Sequence, residues 1–117
     1  RAFDDALVEA FARQKRLGER FALLMLDLDY FKRVNDTYGH SVGDDVLRAA
    51  SQAIASEVRP FDRVFRIGGE EFAAILGGVD STAAKMAAER LRASVAAHPV
   101  AIEGTAIPTT VSIGVGS

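Results

Sequence analysis

The stretch FALLMLDL, residues 21–28, decides the fold, because it is almost entirely apolar and gives way at once to polar residues. A short apolar run of this kind predicts a β-strand that is buried on both faces of a sheet. Asp27 and Asp29 stand where the run ends, so the strand would carry two carboxylates to one edge of the sheet. The run is far too short to cross a bilayer, which needs roughly 20 apolar residues.

Apolar residues at helical spacing flank this strand on both sides. The predicted helices, with the residues that stop them, cover residues 3–11 up to Gly18, 30–36 up to Gly39, 42–58 up to Pro60, and 84–95 up to Pro99. The predicted strands cover 21–28, 64–67, 72–76 and 109–115, with a minor hairpin over 100–107 around Gly104. Without the first helix the order is βαββαβ, which predicts an α+β fold: a ferredoxin-like α/β sandwich with helices on one face of the sheet.

Composition and charge exclude several classes of function. The chain has 117 residues, which suits one domain with a sizeable core. Its net charge of −2 provides no basic field to hold a phosphate backbone, so we expect no nucleic-acid partner. The absence of cysteine excludes disulfides, zinc–thiolate sites and cysteine nucleophiles. We expect neither a signal peptide nor direct membrane contact from these residues.

Two acidic clusters carry the strongest chemical signal. One is Asp27-Leu28-Asp29 at the end of the apolar strand, and the other is Glu70-Glu71 at the tip of a predicted hairpin. A sheet can bring a strand end and a hairpin tip together, and carboxylates gathered in this way repel one another unless a cation lies between them. Oxygen ligands without His or Cys favour Mg²⁺ or Mn²⁺. The alternative is two solvated turns that are rich in charge.

Two backbone features accompany these clusters. Gly68 and Gly69 form either a tight turn, in which glycine accepts a positive φ, or a place where a nucleotide approaches the backbone. Phe31 and Lys32 lie where a short helix begins, and amides at a helix start can bind phosphate oxygens.

Two pairs of polar residues are open to a structural and a functional interpretation. Asn35 and Asp44 flank a turn, where their side chains suit helix capping, although an amide and a carboxylate together also complement the edge of guanine. Arg59 and Asp62 have the spacing of a surface ion pair, but the same two groups can bind a guanine nucleotide. Spacing alone favours capping for the first pair and an ion pair for the second.

The motifs, taken in order, resemble those of the GGDEF family. Residues 27–40, DLDYFKRVNDTYGH, resemble the pattern D-x-D-x-F-K-x-x-N-D-x-x-G-H, and residues 43–47 continue it. Residues 66–72, RIGGEEF, match the motif that names the family in its G-G-E-E-F form, and residues 110–115 resemble the last core strand. The resemblance covers residues 1–117, which we interpret as one GGDEF domain truncated at both ends.

The resemblance implies a fold and an activity. The expected fold is that of the nucleotidyl cyclases and the polymerase palm. The expected enzyme is a diguanylate cyclase, a nucleotidyltransferase that condenses two GTP molecules into cyclic di-GMP and releases pyrophosphate. Each domain would hold one GTP and Mg²⁺ or Mn²⁺, and two domains would face each other as a homodimer. The expected location is the cytoplasm, where GTP is available.

The resemblance also assigns roles to residues. It implies a metal site at Asp27, the Leu28 carbonyl and Glu70, with Glu71 as a further catalytic residue. The expected substrate contacts are the Gly68-Gly69 turn against the nucleotide, amides near Phe31 and Lys32 on the phosphates, and Asn35 and Asp44 on guanine, where Asp44 favours GTP over ATP.

A second, inhibitory site is implied by position. Arg59 and Asp62 match the family's R-x-x-D motif, which stands ahead of the G-G-E-E-F turn. The resemblance implies that cyclic di-GMP binds at this R-x-x-D motif as a feedback inhibitor, with Arg90 as a supporting residue. Two alternatives to a cyclase remain: an inactive receptor for GTP or cyclic di-GMP, and a dimerising signalling module.

Overall fold

The computed structural model describes residues 2–102 and 104–116, so Arg1, Glu103 and Ser117 of the predicted domain lie outside the described residues. Its elements, in chain order, are α1 (Ala2–Leu17), β1 (Phe21–Leu28), α2 (Phe31–Tyr38), α3 (His40–Glu57), β2 (Arg63–Arg66), β3 (Glu71–Gly77), α4 (Ser81–Ala96), β4 (Val100–Ile102), β5 (Thr105–Ile107) and β6 (Val111–Gly116). Every element predicted from the sequence is present, and β1 has the predicted bounds.

The main sheet has the strand order β2-β3-β1-β6, and all its neighbours are antiparallel. Strands β4 and β5 form a separate two-stranded hairpin. Because β1 and β6 lie next to each other although most of the chain separates them, the main sheet has the predicted ferredoxin-like βαββαβ connectivity.

Helices α3 and α4 pack against one face of this sheet. Strand β1 supplies alternate residues to that face, and they are fully or almost fully buried: Ala22, Leu24, Leu26 and Leu28. They share one apolar cluster with Val46 and Ile54 of α3 and Leu91 and Val95 of α4. Each buried side chain of this size contributes roughly 1.5–3 kcal/mol of transfer free energy, so this face holds the core.

The prediction that β1 is buried on both faces is wrong. Its residues alternate between buried and more exposed positions, and Met25 on the second face is 39% exposed. The strand buried on both faces is β3, in which residues 72–76 are all buried. An apolar run alone cannot tell these two cases apart, because hydrophobic residues also occur on partly exposed sheet faces.

Helix α1 lies on the second face, so the expectation that helices pack on one face only is incomplete. The Phe3 ring lies 5.5 Å from that of Phe65 on β2, and the Phe11 ring lies 5.0 Å from that of Phe21 on β1. Ala6 is buried beneath the helix. Within residues 2–102 and 104–116, none of the helices combines the length and the apolar character that a bilayer crossing requires.

Candidate active site

The two acidic clusters meet at one end of the sheet. Asp27 of β1 lies opposite Glu71 of β3 on one side and opposite Ser112 of β6 on the other. The Leu28 amide donates a hydrogen bond of 3.1 Å to the Glu70 carbonyl. Antiparallel pairing of β1 with β3 therefore brings together carboxylates that are more than forty residues apart in the chain.

An open cleft of about 330 Å³ lies at this end of the sheet. Its walls are formed by the end of β1, the start of α2 and the hairpin tip, through Asp27, Leu28, Asp29, Tyr30, Phe31, Lys32, Glu70 and Ser112. The cleft thus contains the proposed metal ligands Asp27, Leu28 and Glu70. The charges on its wall are those of three acidic side chains and one lysine.

Glu71 lies beside this cleft without lining it. It is the exposed first residue of β3, and its carboxylate packs against the hairpin turn. A Cβ atom at Gly68 would lie 2.6 Å from the Glu71 Oε1 atom, which is too close for a real contact. Glycine at position 68 therefore makes room for the Glu71 carboxylate.

The hairpin turn does not depend on the backbone freedom of glycine. Gly68 and Gly69 both lack a positive φ, so the interpretation of the pair as a positive-φ turn is wrong. No atom lies within 4 Å of a Cβ built at Gly69, which leaves open space beside the turn. The turn is held by other bonds: the Arg66 guanidinium donates to the Gly68 and Gly69 carbonyls at 3.2 and 2.9 Å, and the Ile67 amide donates to the Glu71 carbonyl. The sequence assigned no role to Arg66.

Helix α2 begins at Phe31, as the sequence predicts, and its first two residues, Phe31 and Lys32, line the cleft. Tyr30 precedes it in the left-handed conformation, with φ of 59°, and offers no side-chain cap. The first amides of a helix have no intrahelical partner, so they can donate hydrogen bonds to an anion. The Phe31 side chain is buried in the core and leaves only its backbone to a ligand, whereas Lys32 is exposed.

Asn35 and Asp44 lie on the two helices that meet at Gly43, α2 and α3. A Cβ atom at Gly43 would lie 1.8 Å from Asn35 Oδ1, so the Asn35 side chain rests directly on the backbone beside Asp44. The capping interpretation is wrong, because the caps of α2 and α3 are Tyr30 and Gly39. Among the described residues, Asn35 Oδ1 is a buried acceptor with no hydrogen-bond partner, and a ligand N–H group would satisfy it.

Asp29 binds across the sheet edge. Its carboxylate accepts hydrogen bonds from Ser112 Oγ at 2.6 Å and Thr110 Oγ1 at 2.9 Å, and its amide donates to the Thr110 carbonyl at 2.9 Å. The sequence left the role of Asp29 open and missed both hydroxyls, because no local pattern links positions about eighty residues apart.

The cleft offers oxygen ligands for a metal, but not a complete cage. Among the residues that the structure describes, no three His, Cys, Asp or Glu side chains converge closely enough to hold an ion. Asp27 and Glu70 fit Mg²⁺ even so, because Mg²⁺ commonly takes one or two carboxylates from the protein and completes its shell with substrate phosphates and water.

Arg59 and Asp62 form a tight ion pair away from the cleft. Arg59 Nε and Nη2 donate to the two Asp62 oxygens at 3.0 and 2.8 Å, and the Arg59 amide donates at 2.9 Å. Arg59 also donates to the Gly77 carbonyl at 2.7 Å and lies 4.3 Å from the centre of the Phe61 ring. The Asp62 side chain is 3% exposed and that of Arg59 is 40% exposed.

Together, the hydrogen bonds from Arg59 affect the pKa of the Asp62 carboxyl group more than its burial does. Burial by itself raises the pKa of Asp62, but the side-chain and backbone hydrogen bonds from Arg59 hold that pKa below its ordinary value. The hydrogen bond to Asp62 raises the pKa of Arg59. The pair borders a cleft of about 190 Å³ that Arg90 also lines, so the structure brings the three predicted inhibitory-site residues together.

Known proteins match this chain throughout. The family model described as "Diguanylate cyclase, GGDEF domain" matches residues 1–117. Diguanylate cyclase A of Treponema denticola is 44% identical over 85% of the chain and 27% of its own length. A probable diguanylate cyclase of Escherichia coli, DgcT, is 37% identical over 98% of the chain and 25% of its own length. The chain thus spans about a quarter of the length of these relatives.

Solved structures of related proteins have the same fold as this chain. The GGDEF domain of DgcB from Caulobacter crescentus, in complex with c-di-GMP, has a TM-score of 0.90 and 35% identity over 97% of this chain and 68% of that one. Diguanylate cyclase SiaD of Pseudomonas aeruginosa, in complex with its activator SiaC, has a TM-score of 0.91 and 41% identity over 95% of this chain and 43% of that one. The palm-type fold, the juxtaposed acidic clusters and these matches together make this chain a member of the family of diguanylate cyclase GGDEF domains.

Proposed function

We propose that the protein is a diguanylate cyclase that condenses two GTP molecules into cyclic di-GMP and releases pyrophosphate. The observation that carries the proposal is the antiparallel pairing of β1 with β3, which brings Asp27 and Glu70 to one open cleft. Two exposed acidic groups at one sheet edge can also occur without a function. Here, however, a strand end and a hairpin tip both supply oxygen ligands to one cleft, which is the arrangement that a metal-dependent nucleotidyl transfer needs.

Asp27, Glu70 and the Leu28 carbonyl are proposed as the ligands of Mg²⁺ or Mn²⁺. A bound divalent cation supplies positive charge that stabilises the reacting phosphate and lowers the pKa of the attacking hydroxyl. The protein's contribution is to hold the Asp27 carboxylate near the end of β1 and the Glu70 carboxylate on the hairpin turn that leads into β3. Glu71 is proposed as a further catalytic residue, because its carboxylate packs against the turn beside the cleft.

GTP is proposed to bind with its phosphates at the start of α2 and its guanine where α2 meets α3. The Phe31 and Lys32 amides at its start suit the β- and γ-phosphates, and the open space at Gly69 suits close approach of the nucleotide to the turn. Asn35 and Asp44 suit the guanine edge. The unpaired, buried Asn35 Oδ1 supports this assignment because guanine carries N–H donors.

The reaction is proposed to need a homodimer and to take place in the cytoplasm, where GTP is available. In each half-reaction the 3′-oxygen of one GTP forms a bond to the α-phosphorus of the other. The bond from that phosphorus to the pyrophosphate oxygen breaks, and the proton of the 3′-hydroxyl is lost. One domain that holds one GTP cannot supply both reactants, so two domains must face each other.

Arg59, Asp62 and Arg90 are proposed as a site at which cyclic di-GMP inhibits the enzyme. The guanidinium groups suit guanine and phosphate, and the Asp62 carboxylate suits the guanine N–H groups. The supporting observation is the shared cleft of about 190 Å³. The same cleft favours the second candidate function, an inactive receptor for cyclic di-GMP.

A product assay tests the proposal. The full-length protein is incubated with GTP and Mg²⁺ beside a Glu70→Gln variant, which keeps the shape of the side chain and removes its charge, and the products are separated by chromatography. We expect cyclic di-GMP and pyrophosphate from the parent and at least about a hundredfold less from the variant. A parent protein that makes no product but binds cyclic di-GMP would instead establish the receptor.

A further inference from the structure

We propose that Asp29, together with Thr110 and Ser112, is a positioning clamp that fixes the phosphate-binding start of α2. The inference rests on the proposed function, because it concerns the amides to which GTP phosphates would bind. None of the three side chains needs to touch GTP for the clamp to act.

The clamp closes over the segment where the chain leaves the sheet. Asp29 is the first residue after β1 and Tyr30 is the only residue between it and α2. Three hydrogen bonds, two from hydroxyls and one to a carbonyl, join Asp29 to Ser112 on the edge strand β6 and to Thr110 just before that strand. The Ser112 bond of 2.6 Å is of the short kind that a hydroxyl makes to a carboxylate.

The conformation of Tyr30 shows why such a clamp is needed. Tyr30 has φ of 59° and is 70% exposed, so a residue with a Cβ atom adopts the left-handed conformation without being packed into it. Such a residue relaxes unless its neighbours hold it. Phe31 is anchored in the core on one side, and the hydrogen bonds of Asp29 supply the anchor on the other.

The clamp also keeps the Asp29 carboxylate away from the helix start. An Asp that precedes a helix ordinarily accepts hydrogen bonds from its first amides, but the N-cap residue of α2 is Tyr30, whose side chain makes no cap hydrogen bond within the described part of the chain. The carboxylate accepts from Thr110 and Ser112 instead. The amides of Phe31 and Lys32 consequently remain available to an anion.

Binding of two probes to the full-length protein tests the clamp. One probe is a GTP analogue with a methylene bridge between the α- and β-phosphates, and the other is GMP, which lacks the β- and γ-phosphates. Both are titrated in Mg²⁺ into the parent, Asp29→Ala, and Thr110→Val combined with Ser112→Ala. We expect either change to weaken the analogue about tenfold and GMP by less than about twofold. Combining all three substitutions should add less than about twofold, because each change breaks the same bonds.

Matched variants separate positioning from general damage. Asp29→Asn keeps one acceptor and gains a donor for the second hydroxyl, so it should restore most of the affinity for the analogue. Thr82→Val, an exposed threonine on α4, should change neither affinity. If Asp29→Ala does not fold, the Thr110→Val, Ser112→Ala variant carries the test.

Several results would overturn the clamp. Equal losses for GMP and the analogue would indicate a structural role only, and parent-like affinities would indicate no role. A parent that made cyclic di-GMP alongside either result would leave the proposed function intact. A parent that bound neither probe would remove the proposed function and the clamp together.

Discussion

The candidate active cleft and the Arg59–Asp62 site differ in whether their polar side chains find partners within the protein. Within the described residues, Asp27 and Glu70 form no ion pair, and Asn35 Oδ1 beyond the cleft has no hydrogen-bond partner. At the second site, by contrast, Arg59 satisfies Asp62 with three hydrogen bonds. Charge left without a protein partner suits a ligand that supplies one, whereas a ligand at the second site must compete with an existing pair.

The difference teaches where a substitution should affect stability and where it should affect activity. Carboxylates that contact no cation contribute little to folding, so their removal should be tolerated structurally. A buried carboxylate in a hydrogen-bonded pair contributes to folding, since removing one partner leaves the other unsatisfied. The following expectations separate these two cases.

The largest effect is expected from Asp27→Asn. Losing a proposed metal ligand should lower the rate of cyclic di-GMP synthesis at least about a hundredfold, while an exposed substitution should change the free energy of unfolding by less than about 0.5 kcal/mol. Initial rates and thermal melting of the same preparation measure both. A variant that melted much earlier than the parent would break the comparison, since the cleft would then be stabilising the fold.

Gly43→Ala should affect both properties. A Cβ atom 1.8 Å from Asn35 Oδ1 must displace that side chain, which should cost about 1–3 kcal/mol of stability and weaken GTP binding. Gly114→Ala is a matched control, because its Cβ atom would meet nothing within 4 Å. Unchanged GTP affinity in Gly43→Ala would argue against Asn35 as a guanine contact.

Asp62→Asn should lower stability and spare the initial rate. Because Arg59 is 40% exposed and water can solvate it, we expect a loss of only about 1–2 kcal/mol, or several degrees in melting temperature. The same variant should lose inhibition by added cyclic di-GMP. Full inhibition in a destabilised variant would show that the pair serves the fold and not the inhibitor.

The stability contribution of this pair should depend on pH. The pKa of Asp62 is lower in the folded protein than in the unfolded chain, so the contribution is complete above the unfolded value, about 3.9, and is lost as pH falls toward the folded value. The difference in melting temperature between the parent and Asp62→Asn should therefore stay nearly constant from pH 6 to about pH 5 and shrink as the pH falls below about 4, to a degree measurable by calorimetry. A difference that grew on acidification would contradict the assignment.

The smallest effect is expected from Glu89→Ala. Glu89 pairs with Arg92 on the exposed surface of α4, where water and salt screen the charges. Its melting temperature and cyclase activity should match those of the parent. A clear loss of stability would mean that exposed pairs contribute as much as the half-buried Arg59–Asp62 pair, and the distinction drawn above would not hold.

The sequence predicted the helices and strands well, because the spacing of apolar residues and the Gly and Pro residues that end an element are local properties of the chain. Gly18 and Pro60 limit helices that the structure contains at those places, and residues 21–28 form the predicted strand. Burial was harder to predict: β1 and β3 are both apolar, and only the structure shows that β3 is buried on both faces while β1 alternates between buried and exposed residues.

Some of the site residues could likewise be predicted from the sequence, and others could not. Asp27, Glu70 and the start of α2 line one cleft, while Arg59, Asp62 and Arg90 line another. Asn35 and Asp44 were ambiguous because Asn and Asp also cap helices, and only the observed caps at Tyr30 and Gly39 removed that alternative. Thr110 and Ser112 were missed because their partner, Asp29, lies about eighty residues away, and Arg66 was missed because it bonds to backbone carbonyls, which every residue carries.

The sequence by itself determined which residues form strands and helices and, through its ordered motifs, the family to which the chain belongs. The tertiary structure alone decided the partners of polar groups that lie far apart along the chain. Asp62 lies three residues from Arg59 and pairs with it, whereas Asp29 finds its hydroxyls on Ser112 of β6 and on Thr110 just before that strand. The physical reason is that hydrogen bonds and ion pairs depend on distances of a few ångströms, which strand pairing sets for residues that the chain separates widely.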